Sequence, residues 1–169
     1  NCDVASQESV GWCDAPGSQH RRFNELLQIG VCQEDSLLDV GCGVGHLYEF
    51  IGDQVDYHGV DPNSLAIKKA QQLHPNAKFT QGTLDDITEN YDWAILNGIF
   101  SFDFPENVMI ETVNQAINKT NNGVAFNFLS KELTEKRRFT YHLMQKDTQT
   151  NTFIGGETFE IRKQFNTSL

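Results

Sequence analysis

The chain has 169 residues, the size of one domain, and its 38% of hydrophobic residues together with 13 glycines is typical of a globular protein. Thirteen basic residues stand against 23 acidic ones, a net charge of −10, which argues against nucleic acid and anionic membrane surfaces as partners because both are bound mainly through Lys and Arg. No apolar run is long enough to cross a membrane. We therefore expect a cytoplasmic protein with one domain over residues 1–169.

The cysteines and histidines do not suggest a metal site. Cys2, Cys13, Cys32 and Cys42 lack the spacing of zinc ligands, and the five histidines form no metal-binding pair. We expect four free, buried thiols in a reducing compartment and no bound metal.

Short apolar runs alternate with helical patterns along the chain. The runs at 36–40, 57–61, 78–81, 92–96 and 124–129 predict five strands. Helical spacing of apolar residues predicts helices at 47–51, 63–73 and 105–118. Near the end, 138–144 and 158–165 alternate with period two around Gly155-Gly156, which predicts an antiparallel hairpin.

This order predicts an α/β fold: a doubly wound, mainly parallel sheet of seven strands, with helices on both faces and a C-terminal antiparallel hairpin. We divide the chain into an N-terminal helical segment (1–35), a core (36–130) and the hairpin (131–169). Ligands of such sheets bind at the carboxyl ends of the strands, so a site is expected among residues 39–46, 61–65, 82–86 and 97–104.

The strongest local signal is a glycine loop after the first strand. Gly41, Gly43 and Gly45 alternate with other residues, and His46 stands where a dinucleotide-binding loop has its third glycine. Asp39 lies two positions before the loop, and Asp61 ends the next strand. One carboxylate suits an ammonium group and the other suits ribose hydroxyls, which together describe S-adenosylmethionine better than a dinucleotide.

Four segments in order resemble the motifs of class I S-adenosylmethionine-dependent methyltransferases, small bacterial or phage-like members in particular. They are D-V-G-C-G-V-G (39–45), G-V-D-P-N (59–63), F-T-Q-G-T-L-D-D-I (79–87) and Y-D-W-A-I-L-N-G-I-F (91–100). The resemblance covers roughly residues 19–130. It implies a Rossmann-like methyltransferase fold, the cofactor S-adenosyl-L-methionine and the product S-adenosyl-L-homocysteine, with no metal.

The resemblance also implies roles for single residues. The loop residues Gly41, Cys42, Gly43 and Gly45 would lie against the methionine part and the ribose, with Asp39 near the methionine amine. Asp61 would hold the ribose hydroxyls. The remaining members of the implied cofactor site are Pro62 and Asn63 beside the adenine, Leu84 and Asp85 against it, and Asn97, Gly98 and Ile99 near the transferable methyl.

Each of these assignments has a simpler alternative. Asp61 could cap the following helix, Asp85 and Asp86 could form a solvated turn, and Asn97-Gly98 is a common turn dipeptide. Some small family members carry a similar Gln-x-x-Arg-Phe before the loop. We therefore expect Gln19 and Arg22 over the cofactor, with Arg22 available to pair with its carboxylate and a solvated helix face as the equal alternative.

Methyl transfer is a direct displacement, so alignment is the main task and a base is needed only for some acceptors. We assign Asn97 and Asp103 as catalytic candidates, with His20 and His142 as alternative bases. Phe100, Phe102 and Phe104 would wall an acceptor pocket or pack in the core. The family motif departs at Gly82-Thr83, and only residues 130–137 are available for the usual helix before the hairpin.

The sequence thus favours a methyltransferase acting on a small-molecule acceptor. The fourth motif lacks Asn-Pro-Pro-Tyr, which disfavours amino groups of adenine or glutamine. A non-catalytic protein or subunit that binds S-adenosylmethionine or S-adenosylhomocysteine on the same fold is the main alternative, ahead of a nicotinamide dehydrogenase. Assembly into a homo-oligomer is left open, and fold alone does not identify the acceptor.

Overall fold

A computed structural model describes residues 18–100, 105–129, 139–147 and 152–154 of the chain. The helices are α1 (Ser18–Leu27), α2 (His46–Ile51), α3 (Ser64–Leu73) and α4 (Glu106–Asn118). The strands are β1 (Ser36–Val40), β2 (Asp56–Asp61), β3 (Lys78–Gln81), β4 (Tyr91–Phe100), β5 (Thr120–Leu129), β6 (Phe139–Asp147) and β7 (Thr152–Ile154). Two 3-10 turns lie at Gly52–Gln54 and Leu84–Asp86.

All seven strands form one sheet in the order β3-β2-β1-β4-β5-β6-β7. Strands β1 to β5 are parallel, β6 is antiparallel to β5, and β7 is antiparallel to β6. The predicted doubly wound, mainly parallel sheet with an antiparallel end is confirmed. The strand that pairs with β6 is Thr152–Ile154 rather than 158–165, and the latter stretch lies outside the described residues.

Two strands are longer than the sequence pattern predicts. β4 extends through Asn97 and Gly98, and β5 begins at Thr120, before the apolar run at 124–129. Gly123 pairs with Trp93 across the two strands. Hydrophobicity marks only the buried centre of a strand, whereas backbone pairing continues through residues whose side chains carry no pattern.

The helices cover both faces of the sheet, and each strand contributes alternate residues to each face. Leu37 of β1 packs with Phe23, Leu26 and Leu47 on the face covered by α1, α2 and α3. Leu38 packs on the opposite face, in the core that α4 closes with Val113 and Ala116. Burial of such side chains contributes about 1.5–3 kcal/mol each, which fixes the strand register.

Local polar groups set the ends of these elements. The Asn63 side chain accepts hydrogen bonds from the first-turn N–H groups of Leu65 (3.0 Å) and Ala66 (3.3 Å) and so caps α3. Asn63 therefore takes the capping role that the sequence left open for Asp61. Pro105 directly precedes α4, where its missing N–H is harmless.

One buried histidine belongs to the α4 side of the sheet. His58 of β2 is 2% exposed; its Nδ1 shares a hydrogen bond with the Tyr91 hydroxyl, and its Nε2 lies 2.8 Å from Thr80 Oγ1. Burial, aided by the positive charge of Lys78, lowers the pKa of His58 to about 4. The imidazole is therefore neutral at physiological pH and serves the packing of the sheet.

The order in which strands are added to the sheet reverses between β1 and β4, which are parallel neighbours in the middle of the sheet. From β1 the chain proceeds through α2 to β2 on one side, and from β4 through α4 to β5 on the other. Such a reversal opens a crevice at the carboxyl ends of the two strands. Among the described residues, no helix is long and apolar enough to cross a membrane.

Candidate functional site

The glycine loop between β1 and α2 has the backbone conformation that its sequence predicts. Gly41, Gly43 and Gly45 all have positive φ, at 73°, 56° and 89°. The Gly41 N–H donates to the Val60 carbonyl at 2.8 Å, which ties the loop to β2. A Cβ on Gly41 would lie 2.1 Å from Ile99 Cγ2. Glycine is therefore required at Gly41 both for its φ and for the close approach of β4.

The three glycines of the loop have different structural roles. Gly41 and Gly43 line a cavity above the loop, together with the backbone of Cys42. Gly45 is not among the lining residues, and a Cβ there would meet His74 and Phe79 at 2.8 Å. Gly45 thus allows the start of α2 to pack on α3 and β3, and the structure does not bring it to the cavity wall.

Asp61 ends β2 beside the loop. Its Oδ2 accepts from the Gly43 N–H at 2.9 Å, and its Oδ1 accepts from the Asn63 N–H at 2.8 Å. Each oxygen therefore keeps a lone pair for a ligand, since a carboxylate oxygen can accept more than one hydrogen bond. Asp61 and its neighbour Pro62 line the cavity, where the sequence predicts a ribose contact.

Asp39 lies on β1 with its carboxyl group buried. It is 3% exposed, lines the cavity, and accepts a 2.6 Å hydrogen bond from the Tyr57 hydroxyl. Burial raises the pKa of Asp39 to about 7; the Tyr57 hydrogen bond opposes this rise, and the charge of Asp61 adds to it. A cationic ligand would favour the ionised form, so the charge of this group is set by what the cavity holds.

The cysteine within the loop is buried and protonated. Cys42 is 7% exposed, and burial together with the carboxylates of Asp39 and Asp61 raises the pKa of its thiol. Cys32, by contrast, is exposed, which corrects the expectation that the thiols are buried. Cys2 and Cys13 lie outside the described residues.

A bulge near the end of β4 shapes the opposite wall. Leu96 pairs with Phe126 and Phe100 with Phe128, so three residues of β4 stand opposite Asn127 alone. The bulge holds Asn97, which is 9% exposed, and Gly98, which has a φ of 76°. The Asn97-Gly98 pair is therefore part of a strand, and the simple turn weighed as an alternative is wrong.

Asn127 was not singled out by the sequence, although it is fully buried beside the site. Its Oδ1 accepts from the Gly98 N–H at 2.7 Å, and its Nδ2 donates to Asn97 Oδ1 at 2.8 Å. A polar residue in the apolar run V-A-F-N-F-L was the one available signal. Buried amides usually have a defined hydrogen-bonding task, which here is to hold the bulge.

The 3-10 turn Leu84–Asp86 forms another part of the wall. Thr83 caps the turn, because its side chain accepts from the Asp85 N–H at 3.3 Å while Asp86 Oδ2 accepts from the Thr83 N–H at 2.8 Å. Leu84 is buried and Asp85 is exposed, and both line the cavity. The capping contact gives Asp86 a structural role, whereas Asp85 keeps its carboxylate at the cavity, 3.4 Å from Gln115 Nε2.

Helix α1 closes the cavity from the side of the N-terminal segment. Gln19 is 4% exposed and lines the cavity, whereas Arg22 is 3% exposed and is not among the lining residues. The solvated helix face weighed for these two residues is therefore wrong. His20, one of the alternative bases, is exposed and does not line the cavity either.

Together these elements enclose a cavity of about 610 Å³, within the range of small-molecule sites. Four carboxylates line it, and no Lys or Arg stands among its described lining residues. Helix α4 adds a wall that the sequence did not predict. The four carboxylates are Asp39, Asp61, Asp85 and Glu111, and the α4 residues are Val108, Glu111, Thr112 and Gln115.

Several sequence-based candidates lie elsewhere. Asp103, Phe102 and Phe104 lie outside the described residues, as does the side chain of His142 in β6. Phe100 is 3% exposed and packs edge-on against Phe126 at 6.3 Å, so it belongs to the core. Within the described part of the chain, no group of three His, Cys, Asp or Glu side chains is arranged to hold a metal ion.

Comparison with solved structures shows where this fold recurs. Magnesium protoporphyrin IX methyltransferase from Synechocystis PCC 6803, solved with bound S-adenosylmethionine, is 18% identical with a TM-score of 0.58, over 75% of this chain and 60% of that one. A cyclopropane synthase from Mycobacterium tuberculosis is 15% identical with a TM-score of 0.59, over 70% and 46%. A plantazolicin methyltransferase, solved with a pentazolic desmethylPZN analog and S-adenosylhomocysteine, is 22% identical with a TM-score of 0.58, over 72% and 51%.

At these identities the likeness establishes the fold, and the chain spans from under half to three-fifths of the length of these structures. No curated protein matches the chain. A family model described as a methyltransferase domain matches residues 38–124, just over half of the chain, and covers the glycine loop, the three cavity aspartates and the β4 bulge. The chain therefore belongs to the class I S-adenosylmethionine-dependent methyltransferases, the family that its four motifs resemble.

Proposed function

We propose that the cavity binds S-adenosylmethionine and that the chain transfers its methyl group to a small-molecule acceptor. The observation that carries this proposal is the meeting of a positive-φ glycine loop with two carboxylates, Asp39 and Asp61, at adjacent strand ends. An amino acid joined to a nucleoside has an ammonium group and ribose hydroxyls to place there. It lacks the pyrophosphate that a dinucleotide-binding loop cradles, and His46 stands where such a loop has the third glycine that lets the helix pack closely on the strand.

The residues of the cavity fit the parts of this cofactor. The lone pairs of Asp61 would accept from the ribose hydroxyls, and Asp39 would face the ammonium group, directly or through water. Leu84 and Pro62 offer apolar surface to the adenine, with the Asp85 carboxylate at hand for its exocyclic amine. Gln19 would close the site from α1.

When bound, the cofactor supplies an electrophilic methyl group on a sulfonium. The chain has to align an acceptor with that methyl group, exclude water and, for acidic acceptors, take up a proton. Asn97 would lie beside the methionine part of the cofactor, near the transferable methyl, as a positioning amide, since an amide is no base at neutral pH. We assign proton removal to Asp103, which follows the β4 bulge by a few residues in the sequence.

The size of the cavity supports a small acceptor, since about 610 Å³ has to hold the cofactor as well.

The seven described strands pair in one sheet, which supports a single domain over residues 1–169, with the segment 1–35 leading into the core 36–130 and the hairpin 131–169. The acidic net charge of −10 supports an uncharged or cationic acceptor over a nucleic acid.

Calorimetric titration of the chain with S-adenosylmethionine and with S-adenosylhomocysteine tests the proposal. We expect micromolar binding of both, followed by transfer of labelled methyl to members of a small-molecule panel. Tight binding of both ligands with no transfer to any acceptor would favour a binding protein on the same fold. Absence of binding, or displacement by a nicotinamide dinucleotide, would contradict the proposed site.

A matched pair of variants locates the ligand. Asp61→Asn should weaken binding by roughly 1–3 kcal/mol, because its nitrogen would face a backbone N–H and the charged ribose acceptor would be lost. Asp56→Asn changes an exposed carboxylate at the other end of β2 and should leave affinity unchanged. Equal affinities of the two variants would place the ligand elsewhere.

A further inference from the structure

The Asn97 and Asn127 side chains form a hydrogen-bonded pair whose direction is fixed by the backbone. The Gly98 N–H can only donate, so the atom of Asn127 that lies 2.7 Å from it is the oxygen. The amide nitrogen of Asn127 must then point to Asn97, 2.8 Å away, where it needs an acceptor. Asn97 therefore turns its oxygen to Asn127 and keeps its NH₂ group for the cavity that it lines.

This arrangement determines what the wall at β4 can bind. An NH₂ group donates hydrogen bonds and accepts none, so it suits a carboxylate and repels an ammonium group. Asp39 offers the opposite polarity on the neighbouring strand: it pairs in register with Ile95, two residues before Asn97 on the same face of the sheet. A zwitterionic amino acid group would find an acceptor on β1 and a donor on β4.

Other donors for a carboxylate are scarce around this cavity. None of its described lining residues is Lys or Arg, and four of them are carboxylates. Among the donors that the described lining residues offer, the Asn97 amide is held in place by a fully buried partner. The bulge places Asn97 and Gly98 opposite Asn127 and so makes both hydrogen bonds of Asn127 geometrically accessible.

We propose that Asn127 is a positioning residue that orients the Asn97 amide so that its nitrogen donates to the α-carboxylate of the cofactor's methionine part. The inference rests on the proposed function, because it requires S-adenosylmethionine in this cavity. Asn127 acts through Asn97 and touches no ligand, and Asn97 makes the contact. The pair thus selects a cofactor that retains its carboxylate over an analogue that lacks it.

The test compares the affinities of S-adenosylmethionine and decarboxylated S-adenosylmethionine, which differ only in the carboxylate. Asn127→Asp keeps an oxygen for the Gly98 N–H but removes the donor to Asn97, so the Asn97 amide turns over and presents its oxygen to the cavity. We expect the affinity for S-adenosylmethionine to fall about tenfold to a hundredfold, the factor of one hydrogen bond to a charged group. The affinity for the decarboxylated analogue should not fall, because it has no carboxylate for the Asn97 amide and its positive charges are not repelled by an added carboxylate.

A double-variant cycle separates positioning from a general structural role. In an Asn97→Ala background the contact is already lost, so adding Asn127→Asp should move the ratio of the two affinities less than it does in the wild-type background, where the added charge and the loss of the contact act together. If the ratio moves equally far in both backgrounds, or if Asn127→Asp weakens both ligands equally, the inference is wrong. The urea midpoint of each variant is measured in parallel to report loss of folding.

A second variant decides the question if Asn127→Asp does not fold. Asn97→Asp retains an acceptor for Asn127 and replaces the cavity donor by a carboxylate oxygen, so it should disfavour S-adenosylmethionine more than its decarboxylated analogue. An unchanged ratio there would overturn the inference. Failure of the wild-type chain to bind S-adenosylmethionine or S-adenosylhomocysteine would instead overturn the proposed function.

Discussion

Replacing Asp39 by asparagine should stabilise the ligand-free chain at pH 8 while weakening its hold on the cofactor. The buried Asp39 carboxyl has its pKa raised to about 7 from an ordinary 3.8. The unfolded chain therefore releases this proton at lower pH than the folded chain does. The contribution of Asp39 to the free energy of unfolding consequently falls as pH rises from about 4 to about 7, and the loss is complete above that window.

The size of the effect follows from the shift. A difference of roughly three pKa units, at 1.36 kcal/mol per unit, corresponds to about 4 kcal/mol at pH 8 and to little at pH 4. Asparagine has the same shape, stays neutral throughout and can still accept the Tyr57 hydroxyl. Asp39→Asn should therefore gain about 4 kcal/mol over the wild type at pH 8 and almost nothing at pH 4.

Urea unfolding of the two proteins at pH 4.5 and pH 8 measures this difference, and a titration with S-adenosylhomocysteine at pH 8 measures the loss of binding. Effects of titrating groups that do not interact with Asp39 cancel between the variant and the wild type. Asp56→Asn, at an exposed position of β2, serves as the control and should give equal stability at both pH values. The reasoning would fail if the gain of Asp39→Asn were the same at both pH values, or if it were a loss at pH 8.

Three further predictions follow from the packing. Gly41→Ala, whose Cβ would lie 2.1 Å from Ile99 Cγ2, should lose about 1–3 kcal/mol of stability in urea. An unchanged urea midpoint of Gly41→Ala would contradict the clash. The His58 imidazole, with its pKa lowered to about 4, should stay neutral down to pH 5 in an NMR titration. Because the unfolded chain takes up this proton at higher pH, the contribution of His58 to the free energy of unfolding should fall as pH drops from 6.5 towards 4. Titration of His58 near pH 6.5 in the folded chain would refute its burial. Asn63→Ala should lower the free energy of unfolding by about 1 kcal/mol through loss of the α3 cap, whereas Asn63→Asp, which still caps, should lower it little. Equal losses of stability in the two variants would argue against capping.

Short-range sequence patterns predicted the helices and strands whose ends are set by residues close to them in the chain. β1 and β3 lie where the apolar runs place them, and α3 and α4 begin within one residue of the predicted starts. Each of these elements is bounded by a turn or capping residue and buries one continuous face. The glycine loop was predictable for the same reason, because three glycines after a short strand leave few other conformations.

The contacts that complete the site depend on strand register and could not be read locally. Asn127 meets Gly98 only because β4 bulges opposite it, and a bulge is set by the pairing of segments 29 residues apart. Tyr57 reaches Asp39 across two paired strands in the same way. For Gly45 the motif and the positive φ both fit a glycine loop, yet the residue lies against His74 and Phe79 and does not line the cavity. The local sequence did not reveal this difference between Gly45 and the other two glycines.

The four carboxylates around the cavity bear on how the proposed enzyme would turn over. S-adenosylmethionine carries a positive sulfur that its product lacks, so an acidic wall holds the fresh donor more strongly than the spent one. Each ionised carboxylate near the sulfur would add to this preference. In the proposed reaction the charge that attracts the donor would disappear with each transfer, which would favour release of the product.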